Sequence, residues 1–93
     1  MSNTTLNQKI EKACEASLDK FNKLGLKEYA DTQAKLEYVL GSYRFDGNPV
    51  GLFDIGEQAL SDLKKIKKDK PRSIAKKLID DLEKAIEENN NLK

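Results

Sequence analysis

Apolar residues recur every three or four positions along most of this chain, and that recurrence predicts four helices. The first covers residues 5–24, with Leu6, Ile10, Ala13, Cys14, Leu18, Phe21 and Leu24 on one face and Ala16 or Ser17 sharing it. Thr4 or Thr5 stands where a cap is wanted, and Gly25 where a left-handed residue ends the helix. The second covers residues 27–43, marked by Tyr29, Ala30, Gln33, Leu36, Val39, Leu40 and Tyr43. So short a connection between the two forces an antiparallel pair.

The third helix is expected over residues 49–68, striped by Leu52, Ile55, Gly56, Ala59, Leu60, Leu63 and Ile66. Asn48 supplies the capping side chain, and Pro49 fits the first helical position, where no donor is lost. The fourth is expected over residues 71–89, started by Pro71 or capped by Ser73. Its stripe is Ile74, Ala75, Leu78, Ile79, Leu82, Ala85 and Ile86. The tail, residues 89–93, should fray. No segment alternates in the manner of a strand. The pattern therefore predicts an all-α fold, a small four-helix up-down-up-down bundle, as one domain over residues 1–93.

Composition fits that picture. Charged residues make up 35% and hydrophobic ones 38%, the balance of a small bundle with much surface. A net charge of only +1 separates the chain from the disordered class. Histidine is absent, which removes the commonest acid-base group near neutral pH and the commonest zinc ligand. No metal and no cofactor are expected. Asp80 and Asp81 are adjacent on a helix and point in different directions, so they form no catalytic pair. The glycine-containing run 47–51 has no following Lys-Ser or Lys-Thr to hold a phosphate. An enzyme is not expected. The polar start lacks a signal-peptide run, no apolar stretch suits a membrane, and the single cysteine cannot form an internal disulfide. The expected compartment is the cytoplasm.

Charge is unevenly distributed. Residues 64–77 hold Lys64, Lys65, Lys67, Lys68, Lys70, Arg72, Lys76 and Lys77 against Asp69 alone. That segment carries +7 and leaves −6 for the rest. On an up-down bundle these cations gather at one tip, while Asp46, Asp54, Glu57, Glu83, Glu87 and Glu88 gather at the other. Basic residues opening helix four oppose its dipole, and Lys76–Asp80 and Lys77–Asp81 pairs are expected to offset this. The eight cations form a candidate anion site, directed at a polyanion or a nucleic-acid backbone. No aromatic residue interleaves them and only one is arginine, so nucleic acid is the lesser expectation.

Residues 38–57 stand apart. They hold four of the five glycines and four of the six aromatic residues. Tyr43, Arg44, Phe45, Asp46, Asn48 and Phe53 make a candidate partner-binding corner between helices two and three, with Arg44 and Phe45 expected beyond the helix end. Gly41 and Gly56 fall inside helices, where close helix crossings would offset their poor helix propensity. Cys14 is expected to be a buried, inert thiol. In residues 46–57, Asp46, Asn48, Gly51, Phe53, Asp54 and Glu57 fall at positions 1, 3, 6, 8, 9 and 12 of the twelve-residue calcium loop. The spacing resembles an EF-hand loop. Val50 and Pro49 depart from it, the first having no oxygen ligand and the second restricting the backbone. The expected function is a non-enzymatic helical protein–protein interaction module with self-association permitted. The alternatives are polyanion binding through residues 64–77 and calcium-dependent regulation through residues 46–57.

Overall fold

The computed structural model describes residues 4–91; the polar start at residues 1–3 and the last two residues of the expected frayed tail lie outside that range. Four α-helices form: α1 (Thr4–Leu24), α2 (Ala30–Asp46), α3 (Val50–Asp69) and α4 (Lys76–Asn91). One 3-10 turn, Lys27–Tyr29, leads into α2, and no strand occurs among the described residues. Each helix packs on its neighbours in the chain. Helix α1 also closes against α4 and touches α3 across the bundle. Side-chain bonds show the alternating direction. Lys9 at the start of α1 meets Glu88 near the end of α4, and Arg44 at the end of α2 meets Glu11 and Glu15 of α1. Thr32 at the start of α2 meets Asp62 in the second half of α3. The result is an up-down-up-down bundle of about 41 × 24 × 16 Å.

The inward stripes close over one core containing Ile10, Phe21, Leu36, Leu52, Leu63 and Leu82, all but sealed from water. Burial of such side chains is worth about 1.5–3 kcal/mol each. On α1 the inward position falls to Ser17 and not Ala16. The Ser17 hydroxyl is satisfied by donating to the Ala13 carbonyl at 2.8 Å, while Ala16 is exposed. On α2, Ala30 is exposed and Thr32 is buried instead. The Thr32 hydroxyl donates to Asp62 Oδ2 at 2.6 Å and accepts from the Gln58 amide at 2.9 Å, so its burial leaves no polar atom unpartnered.

Glycine ends two helices. Gly25 (φ 57°) donates its N–H to the Phe21 carbonyl at 3.0 Å and closes α1. Gly47 (φ 74°) does the same for α2, donating to the Tyr43 carbonyl at 2.6 Å. This is a correction to the expected end at Tyr43: Arg44, Phe45 and Asp46 are helical, because the left-handed turn is taken at Gly47. Asn48 acts as expected, accepting the Val50 N–H at 3.1 Å, and the Pro49 carbonyl accepts the Phe53 N–H at 3.2 Å. The start of α3 therefore agrees with the sequence reading to within a residue.

The start of α4 does not agree. Residues 70–75 form a turn, and the helix begins at Lys76 instead of Pro71 or Ser73. The Ser73 N–H donates back to the Lys70 carbonyl at 2.9 Å. The Lys67 ammonium donates to the carbonyls of Ile74 and Pro71 at 2.9 and 3.3 Å. Ile74 reaches the core from this turn, and Ala75 stays exposed. Buried spacing alone therefore mimicked a helical turn. The cap expected at Thr4 or Thr5 is corrected as well, because both residues already belong to α1.

Candidate functional site

Helix α2 is unlike the other three because it is apolar on two opposite sides. Its inner side carries Thr32, Leu36 and Leu40, all buried, with Val39 and Tyr43 half-buried against the core. Its outer side carries Ala34, Tyr38, Gly41 and Phe45, all exposed. Their spacing of four, three and four residues places them in one outward sector about 60° wide and about 16 Å long. Tyr38 is 77% and Phe45 89% exposed. Val50, at the start of α3, is a third large apolar side chain left in water. Between α2 and α3, beside Tyr38, runs a groove of about 490 Å³ whose walls include Ala34, Val39, Gly51 and Ile55. Gly51 is packed there, since a Cβ on it would stand 3.0 Å from Val39 Cγ1.

Gly41 is the odd member of that row. Among the described residues nothing lies within 4 Å of where its Cβ would be. The close crossing expected at this glycine is not made among them, because Gly41 faces away from the bundle. In an exposed helix interior glycine costs about 1 kcal/mol relative to alanine, and no contact in this molecule offsets it. Gly56 meets the same expectation fully: its Cβ would lie 3.3 Å from Ile10 Cδ1, 3.5 Å from Leu82 Cδ1 and 3.8 Å from Cys14 Sγ.

The partner-binding corner read from sequence is dispersed. Phe53 is buried in the core and Tyr43 is half-buried. The Arg44 guanidinium is held by Glu11 Oε2 at 3.2 Å and by Glu15. Asp46 and Asn48 are exposed but engaged in the turn, Asp46 Oδ1 accepting the Asn48 N–H at 2.9 Å. Of the six, Phe45 alone is a large apolar side chain in open water. Tyr38, which the sequence reading left out of the corner, joins it. The available signal was the second apolar row on α2, hidden behind the inward one.

At the lysine-rich tip the cations are in unequal states. Lys64 pairs with Glu83 at 2.8 Å, and Lys67 is spent on the loop carbonyls. Among the described residues Lys65, Lys68, Lys70, Arg72, Lys76 and Lys77 form no ion pair. The expected Lys76–Asp80 and Lys77–Asp81 pairs are therefore not made, and the cross-helix pair Lys64–Glu83 forms instead. Lys64, Lys67, Lys68 and Lys76 line a shallow groove between α3 and α4, with Asp80 on its wall. Close to this tip, partial desolvation together with the carboxylates of Glu28, Asp62 and Asp69 raises the Tyr29 phenol pKa. The positive pole is thus interrupted by acidic groups.

The twelve residues with calcium-loop spacing do not form a loop. From Val50 onward they are helix α3, so Asp54 and Glu57 project from a helix while Asp46 ends another. No cluster of three metal-ligating side chains occurs among the described residues. Cys14 is fully buried, its thiol 3.6 Å from the Leu52 carbonyl, and burial pushes its pKa up to about 12. A thiol held protonated in this way is a poor nucleophile. Among the described residues no helix is long and apolar enough to cross a membrane. Compared with family models, curated proteins and solved structures, the chain matches none.

Proposed function

We propose that this protein is a small non-enzymatic helical interaction module of the cytoplasm, and that its contact surface is the outward side of α2. The observation that carries the reading is the pair Tyr38 and Phe45. They are two turns apart on one face, 77% and 89% exposed. Single exposed apolar residues are ordinary, but a row of them on a helix has the makings of a binding surface. Tyrosine contributes most strongly at such surfaces because its ring is large and rigid and its hydroxyl tolerates water. The rest of the molecule supplies a rigid support, since the inward side of the same helix is locked into the core. The single buried thiol suits a reducing compartment.

The test is photo-crosslinking in cells from a benzophenone side chain placed at position 38, 45 or, as a control at the lysine-rich tip, 65. Discrete protein adducts from positions 38 and 45, absent from 65, are expected. Absence of any adduct at both 38 and 45 removes the proposal.

A second reading has one observation in its favour, the six unpaired cations of the α3–α4 tip. Contact with a polyanion there would be electrostatic and would weaken steeply with salt. A mobility shift on duplex and single-stranded nucleic acid at low salt, lost at high salt, is the expected result. No shift at low salt eliminates this reading.

A further inference from the structure

The outward row of α2 carries a second regularity that bears on what covers it. Ala34 and Gly41 are small, Tyr38 and Phe45 are large, and the order along the helix is small, large, small, large. Reversing the helix about a point between Val39 and Leu40 exchanges Ala34 with Phe45 and Tyr38 with Gly41. Each large side chain of one helix then faces a small one of the reversed helix. A surface complementary to its own reversed copy is what a two-fold symmetric contact requires.

The flanking charges obey the same symmetry. Glu37 and Arg44 lie on the flank of the row that faces α1, and Lys35 and Asp46 on the flank that faces α3. In the reversed pairing Glu37 comes beside Arg44 of the other copy, and Lys35 beside Asp46 of the other copy. Opposite charges therefore meet on both sides. Glu37, Lys35 and Asp46 form no ion pair among the described residues, and the Arg44 guanidinium keeps donors beyond those given to Glu11 and Glu15. A parallel pairing also brings opposite charges together, Glu37 beside Lys35 and Arg44 beside Asp46 of the other copy, but it loses the fit of large on small: it sets Tyr38 on Tyr38 and Phe45 on Phe45. The open space over Gly41 gains a purpose in the antiparallel arrangement, as the hole that receives the Tyr38 ring.

We infer that a second copy of this chain packs against the outward face of α2, antiparallel, with Tyr38 of each copy seated over Gly41 of the other. This rests on reading that face as an interaction surface and specifies its occupant. Contact along about 16 Å of helix makes a small interface, so the dimer is weak and concentration-dependent.

The test is sedimentation equilibrium of the full chain between about 10 μM and 1 mM, the span in which a weak helix pair dissociates. The expected mass rises from 10.5 kDa toward twice that value. Tyr38→Glu and Gly41→Glu are each expected to return the chain to one-copy mass throughout. Neither position touches the core, so circular dichroism should be unchanged. Gly41→Glu should also raise the melting temperature of the single copy, because glutamate favours helix over glycine. A lesion of the fold would lower it. One-copy mass at every concentration overturns self-pairing, and so does a dimer that survives both substitutions. If one-copy mass coincides with crosslinks from positions 38 and 45 to a different protein, self-pairing falls while the interaction module stands. If neither position 38 nor position 45 yields a crosslink, to a second copy or to another protein, both fall.

Discussion

Gly56 and Gly41 occupy comparable places, each inside a long helix, and their surroundings are opposite. A Cβ on Gly56 would press on Ile10, Leu82 and Cys14; one on Gly41 would meet open space. The difference separates two kinds of constraint in one small bundle. At Gly56 the fold itself demands a missing side chain, because three helices converge there. At Gly41 the fold demands nothing, and the unoffset cost falls on the face where Tyr38 and Phe45 stand in water. The same contrast divides α2 lengthwise, with an inner side fixed by packing and an outer side free of it.

The largest effect that sharpens this comparison lies on the inner side. Leu36→Ala should destabilise the protein by about 2–5 kcal/mol through lost burial and a residual cavity. Tyr38→Ala, two positions along on the outer side, should stay within about 0.5 kcal/mol at low protein concentration. Urea unfolding read by circular dichroism checks both, and similar values for the two would break the distinction. Next comes the glycine pair. Gly56→Leu should cost about 1–3 kcal/mol by overpacking against Ile10, Cys14 and Leu82. Gly41→Ala should instead stabilise by about 0.5–1 kcal/mol. Opposite shifts in melting temperature are the expected signature.

The last effect, confined to alkaline pH, concerns the thiol beside Gly56. Its folded pKa lies near 12, above the ordinary value of 9.0, so folding favours its protonated form. That contribution is complete below pH 9 and is lost as pH rises toward 12, by about 1.4 kcal/mol per unit. Every other contribution is common to wild type and Cys14→Ala, so the difference between the two is the informative quantity. Stability of wild type should fall more steeply with pH than that of Cys14→Ala. Parallel curves would mean that the site around Gly56 is less closed than its packing shows.

Much of the fold was legible because the inward stripes have a single helical period. Ile10, Phe21, Leu36, Leu63 and Leu82 occupy the core for the reason their spacing gave. The ends of α2 and α4 were harder to read, for separate reasons. Two glycines stood near the end of α2, and only backbone geometry shows that Gly47, and not the region after Gly41, takes the left-handed turn. Ile74 carried the period of α4 into residues that are not helical, because a turn can also deliver one side chain to a core. The candidate surface was legible in part. The corner read from sequence includes Phe45 but leaves out Tyr38, since one periodicity on α2 masks another facing the opposite way. Phe53 was misplaced on the surface because nothing local to the 45–53 stretch distinguishes its inward direction from that of Phe45.

One lysine of the basic tip has a standing different from its neighbours. Lys67 closes the α3–α4 turn through two carbonyls, whereas Lys68 and Lys70 point into solvent. A reagent or enzyme that acylates amines would meet these groups as chemically distinct, with Lys67 the slowest to react. Once modified, it would leave the Ile74 carbonyl without its donor and slacken the joint that carries Ile74 inward. A tip that looks uniform in charge therefore holds one residue whose modification would be felt in the architecture, among several where it would pass unnoticed.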